Sequence, residues 1–356
     1  MIILIFCVTL FMYLHVFFHL KTSDDLEIYD IDQPSKVELE EVCDLRQPVR
    51  MKYHNDALLS VCDVKNVIDK YYAFDVCVRN VKENVVDAND IYLPLRMKNA
   101  ARVIGDDKEE KYILESNGEF LKETGIDKAY RNGDTFIRPY MVSNTSYDYL
   151  MGSKGAKTPF RYDINYRNYL FVVSGTARIK LAPPKSTKYL RPVKDYSNFE
   201  FRSVINPWDV NGEHQSDFDK VKCLDVEITK GHLLFIPAFW WNSIEFGENT
   251  VLSSFKYNTY VSNISMMHHY VIKLLQSQNI RYKTISTLKH EPQNEESNEP
   301  LKEPLKEPLK EPSKEPSKEP SKEPLKEPSK EPSKEPSKEQ QTVTSGEGLI
   351  EPTNSV

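Results

Sequence analysis

The chain has 356 residues, a net charge of −6, and 28% charged against 39% apolar side chains. It holds no basic cluster outside its C-terminal repeats, which argues against a surface that tracks nucleic-acid phosphates. Its five cysteines, Cys7, Cys43, Cys62, Cys77 and Cys223, show no CxxC spacing, so neither a zinc site nor a disulfide framework is indicated.

Residues 2–20, IILIFCVTLFMYLHVFFHL, are apolar except where His15 and His19 interrupt them. At 1.5 Å per residue such a helix measures about 28 Å, close to the hydrocarbon thickness of a bilayer. A cleaved signal peptide is the rival reading. Against it, no basic residue precedes the run and Phe18-His19-Leu20 is not a small-x-small cleavage site. An uncleaved single-pass anchor over 1–20 is expected. Lys21 and Lys36 beyond the span favour a cytoplasmic body, whereas the sequons at Asn144 and Asn263 favour a luminal one. Residues 21–33 are expected to be an acidic linker.

The folded region is expected over 34–285. Ser35 and Glu38 form a capping-box pattern that opens a helix. RQPVRMKY reads as a strand, Val64–Tyr72 as a helix, AFDVCV as a strand and Glu119–Glu123 as a short helix. Past Phe136 strands dominate. Phe171 and Val173, then Ala177, Ile179 and Leu181, recur at period two, with Ser174-Gly175 as a hairpin turn or bulge. VKCLDVEIT, GHLLFIPAFWWNSIEF with its proline kink, and TVLSSFKYNTYV read as further strands. Residues 264–280 read as an amphipathic helix, a candidate surface for a protein partner or a homodimer.

From Glu299 to Lys338 the sequence repeats E-P-[L/S]-K ten times. A proline at every fourth position forbids both helix and sheet ladder. The Glu/Lys balance leaves little to bury, so 286–356 is expected to be a disordered, extended tail.

Two segments carry the chemistry. TPFRYDINYRN (158–168) resembles the T-P-x-H-x-D…N segment of the asparaginyl-hydroxylase-like branch of the JmjC/cupin-like oxygenases. GHLLFIPAFWWNSI resembles that branch's G-D-x-x-[FY]-I-P-x-x-W-W-H, and the likeness covers about residues 45–262. It implies a mainly β fold, a double-stranded β-helix (jelly roll, core about 136–262) with helical flanks and a closing helix. It also implies a site in which two histidines and a carboxylate hold Fe(II) beside 2-oxoglutarate. By that likeness Arg161 and Asn242 stand at the histidine positions and Asp163 at the carboxylate. Thr158, Asn168, Trp240 and Trp241 match pocket positions, and Ala177 falls where the co-substrate lysine belongs.

A guanidinium has no lone pair to donate, so Arg161 cannot ligate a cation. At i,i+2 it is expected to pair with Asp163 and take the metal's place. No catalytic residue, metal or cofactor is therefore expected, the alternative being an Fe(II)/2-oxoglutarate hydroxylase with an atypical ligand set. A third reading is a binding module for an anion, a peptide or a carbohydrate. Closer still is the resemblance to iron-site-degenerate, membrane-anchored cupin-like proteins of large DNA viruses.

Overall fold

The computed structural model describes residues 1–82, 92–196 and 199–276. The repeats at 299–338, the tail from 286 and the last four positions of the helix expected over 264–280 lie outside the described residues.

The apolar run forms helix α1 (Ile2–Leu20), none of whose residues is buried. A short strand β1 (Tyr29–Ile31) precedes α2 (Lys36–Asp44), which carries the Ser35/Glu38 capping box, and β2 (Val49–Lys52). Helices α3 (Asp56–Val61) and α4 (Val64–Tyr71) lead to β3 (Asp75–Asn80). Then come β4 (Leu93–Arg96), α5 (Met97–Asp106), β5 (Tyr112–Leu114), α6 (Gly118–Thr124) and α7 (Asp127–Gly133). The strand-rich half holds β6 (Val142–Gly152), β7 (Arg161–Tyr162), β8 (Arg167–Ser174) and β9 (Thr176–Ala182). It continues through β10 (Pro192–Asp195), β11 (Glu200–Ser203), helix α8 (Gly212–Phe218) and β12 (Leu224–Thr229). Strands β13 (His232–Pro237), β14 (Trp241–Phe246) and β15 (Val251–Thr259) run into α9 (Tyr260–Ser265).

Among the described residues the strands form two sheets. One has nine strands in the order β1-β2-β13-β8-β15-β6-β5-β3-β4, the other six in the order β10-β11-β7-β14-β9-β12. Three layers result. Leu170, Val172, Leu234, Ile236 and Leu252 of the larger sheet meet Ile179, Leu181, Val226, Ile228 and Ile244 of the smaller one. The opposite face of the larger sheet, with Tyr169, Phe171 and Phe235, packs under Leu39, Cys43, Leu58, Leu121 and Tyr130 from the helices. The central strand β8 is thus covered on both sides, which explains the unbroken apolar run YLFVV. Leu170 and Val172 complete the face opposite Phe171 and Val173.

Two expectations are corrected. Ser174-Gly175 is not a hairpin turn, because β8 pairs with β13 and β15 while β9 pairs with β12 and β14; the bulge alternative has a counterpart beside it, where the β8–β15 register shifts between Val251↔Ser174 and Leu252↔Val172. Gly175, at φ +71°, turns the chain from one sheet into the other. A Cβ there would meet the Glu248 carbonyl oxygen at 2.8 Å. Nor is the acidic stretch 21–33 a free linker. Its β1 pairs parallel with β2, Asp30 bonds Arg50 at 2.6 Å and Asp32 bonds Lys52 at 3.4 Å. The acidic residues of the linker match the basic residues of the strand beside it.

Candidate functional site: a charge-filled cavity

The two motif segments pair with each other in both sheets, Ile236 opposite Asn168 in the larger and Trp241 opposite Tyr162 in the smaller. Register pairs Asn242 of β14 with Arg161 of β7, and Lys256 of β15 with Asn168 of β8. Arg161, Asp163, Asn168 and Asn242 line a common cavity with Asp148, Ser254 and Lys256, about 40 Å³ in volume. That holds a few waters, whereas small-molecule sites run to about 300–1,000 Å³.

Arg161 does not pair with Asp163. Strand β7 is only two residues long, so strict alternation ends before Asp163, and two carboxylates, one just past β5 and one on β11, draw the guanidinium away. Arg161 Nη2 lies 2.7 Å from Glu115 Oε2 and its Nη1 lies 3.3 Å from Glu200 Oε1. Arg79 completes the ring, with Nη1 3.0 Å from Glu115 and 2.9 Å from Glu200. Two cations and two anions balance in a largely buried network. Burial pushes the Glu115 carboxyl up, but Arg161 and Arg79 outweigh it and hold the group at about 2.

Asp163 pairs instead with Lys256, whose Nζ lies 2.6 Å from Oδ1. Phe255 and Tyr257 face the helix layer, so the alternation of β15 turns Ser254 and Lys256 inward. Asp148 stands on β6 beside them and accepts the backbone N–H groups of Ser116, Asn117 and Tyr149 at 2.7–2.9 Å. Desolvation of its carboxyl prevails over those bonds and pushes it up to about 6.

The remaining sequence-derived positions separate. The Asn168 amide donates to the Asn165 and Ile236 carbonyls at 3.2 Å, and Asn242 donates to the Trp240 carbonyl at 3.4 Å. Thr158 Oγ1 accepts the Ile244 N–H at 2.9 Å and borders a neighbouring groove rather than the cavity. Ala177 and Trp240 are sealed between the sheets. Trp241 lies on the outer face of the smaller sheet, donating from Nε1 to Thr187 Oγ1 at 2.9 Å. None of these three lines the cavity.

Sequence reasoning missed Lys256, Asp148, Arg79, Glu115 and Glu200. The period-two pattern of SSFKYN would have placed Lys256 inside. The network carries no such signal, since its partners lie as much as 121 residues apart.

The donor set does not fit Fe(II). One position offers a guanidinium engaged by two carboxylates, one an amide, and the remaining carboxylate already holds an ammonium. Among the described residues no three His, Cys, Asp or Glu side chains converge as a metal site.

The profile of the family described as "Cupin-like domain" matches residues 54–270, more than half of the chain. HSPB1-associated protein 1 of Homo sapiens is 33% identical over 99 residues, 27% of this chain and 20% of that protein. Lysine-specific demethylase JMJ31 of Arabidopsis thaliana is 25% identical over 194 residues, covering 53% of this chain and 33% of its own length. tRNA wybutosine-synthesizing protein 5 of Gallus gallus is 28% identical over 189 residues, covering 51% and 54%. The chain thus spans between a fifth and about half of the length of these relatives. With its two packed sheets and its motif segments paired in both, the chain belongs to the cupin-like, JmjC-type domain family.

Proposed function

We propose that this chain is a membrane-anchored cupin-like module that acts by binding or by structure rather than by oxygenase chemistry. The single observation that carries the reading is the Asp163–Lys256 contact at 2.6 Å, which fills the metal's seat with an ammonium. Arg161 adds to it, as a fixed charge tied to Glu115 and Glu200. A groove of about 450 Å³ beside the network, bordered by Lys157, Thr158 and Arg202, offers the room that the cavity lacks and suits an anionic or peptide ligand. Helix α1, with a mean hydropathy of 2.2 over its apolar window, supports the single-pass anchor. Lys21 and Lys36 support a cytoplasmic body. The combination of anchor and degenerate site is what likens the chain to the cupin-like proteins of large DNA viruses.

The second reading, an Fe(II)/2-oxoglutarate hydroxylase, is favoured by the retained Asp163 and by the demethylase among the relatives. Anaerobic loading with Fe(II), followed by 2-oxoglutarate and oxygen, separates the two. The proposal expects no stoichiometric iron and no succinate. One equivalent of iron with succinate release would replace it by the second reading.

A further inference from the structure

Helix α9 and the helical residues 267–276 follow one another with only Met266 between them. One side of this rod is packed. Met266 and His269 are buried, His269 Nδ1 lies 3.1 Å from the Tyr196 hydroxyl, and the Tyr270 ring stacks on Phe199 at 5.5 Å. The other side is apolar and exposed. Tyr260, Ile264, Met267, Val271 and Leu275 follow at steps of three or four residues, the spacing of one helical stripe, and are 44–62% exposed. The register Thr259↔Val142 adds exposed Met141 beside the start of the stripe.

Two observations say what covers this face. First, α9 packs against α1. The partly covered residues of α1 are Met12, His15, Val16 and His19, so the contact runs along its C-terminal half. His19 Nε2 lies 3.4 Å from Thr259 Oγ1, at the threshold of α9. Second, no acidic residue occurs between Glu248 and Glu291, while Lys273, Arg281, Lys283 and Lys289 do. A basic, acid-free apolar segment suits anionic headgroups. A second copy on the same stripe would bring two such segments together without a counter-charge.

We propose that the stripe from Tyr260 to Leu275 is a second membrane contact, lying in the headgroup–acyl boundary of the leaflet in which α1 ends. The inference rests on the reading of α1 as a span. The depths agree: two helical turns measure about 11 Å, and interfacial helices settle about 5–10 Å into that boundary.

The test uses the full chain with Cys77 and Cys223 replaced by Ser, since Cys43 and Cys62 are fully buried. It is reconstituted in phosphatidylcholine vesicles containing phosphatidylserine, with doxyl-labelled lipid as quencher. A fluorophore is placed on native Cys7 or, after Cys7→Ser, on Val271→Cys or on Arg102→Cys, the last on α5 over the far β3–β4 edge. Loss of most fluorescence at Cys7 and Val271→Cys, with Arg102→Cys bright, is expected. Quenching at Cys7 with Val271→Cys bright overturns the inference and leaves the span standing. Both bright overturns the span as well. Quenching at all three shows no specific contact, and cross-linking of Val271→Cys between copies in place of quenching assigns the stripe to a dimer; either result overturns the inference.

Discussion

The two ends of the sandwich are built on different physics. Deep between the sheets Val172, Ile179, Leu181, Ile228 and Leu234 are almost fully buried and need only their shape and apolarity. At the mouth Asp148, Arg161, Asp163 and Lys256 crowd a small cavity where shape alone would be ruinous, because each charge must find a partner. The difference teaches how the cupin-like frame can be held independently of the residues at its mouth. The frame depends on the deep end. The mouth remains stable without imidazoles because Lys256 answers Asp163, and Arg161 with Arg79 answers Glu115 and Glu200.

The largest effect is expected at the mouth. Glu115→Gln leaves two guanidiniums sharing Glu200 and should cost about 3–5 kcal/mol in urea denaturation. A cost like that of an exposed pair would mean that the network does not hold the two sheets. Ile179→Ala, at the deep end, should cost about 2–5 kcal/mol through lost burial and a residual cavity. It should leave the Asp163–Lys256 contact untouched, which a double-mutant cycle with Lys256→Met would show as additivity.

Asp148 and Glu115, the one partly and the other fully buried, titrate in opposite senses. Asp148, raised to about 6 from 3.8, lends stability that is full below its ordinary value and is lost as pH rises through 6. Glu115, held at about 2 against 4.5, lends stability that is present above 4.5 and is lost as pH falls toward 2. Unfolding measured at pH 4 and pH 7 should therefore show Asp148→Asn lacking a decline of up to about 3 kcal/mol that the parent protein shows. Equal declines in both proteins would contradict the assignment. The smallest effect belongs to Lys256→Met, about 1 kcal/mol or less, because that pair is partly open to solvent.

Much of the architecture was legible because the patterning is local. The double-sided apolar run of β8, the alternation of β12 and the I-P-x-x-W-W step each announce a strand and its neighbours. The passage of Gly175 between sheets was not, since a glycine after a serine reads equally as a hairpin. The linker strand β1 escaped for a related reason: three residues, Tyr29–Ile31, held by parallel pairing to β2, leave no periodicity to detect. At the site, register brought Arg161, Asp163 and Asn242 together. Their partners could not be named because charge pairing ignores sequence distance. Arg161 had Asp163 two residues away, yet it bonds Glu115 and Glu200, 46 and 39 residues away.

In the proposed reading Lys256 holds the metal's seat against Asp163. The direct measurement is a Co(II) titration, followed by its visible absorption, of Arg161→His/Asn242→His with and without Lys256→Ala. With two imidazoles restored but Lys256 in place, binding should stay weak. Removing the lysine should tighten it by at least about tenfold, on the order of 1.4 kcal/mol. Equal affinity in the two proteins would contradict the claim that the ammonium, rather than the missing imidazoles alone, closes the site.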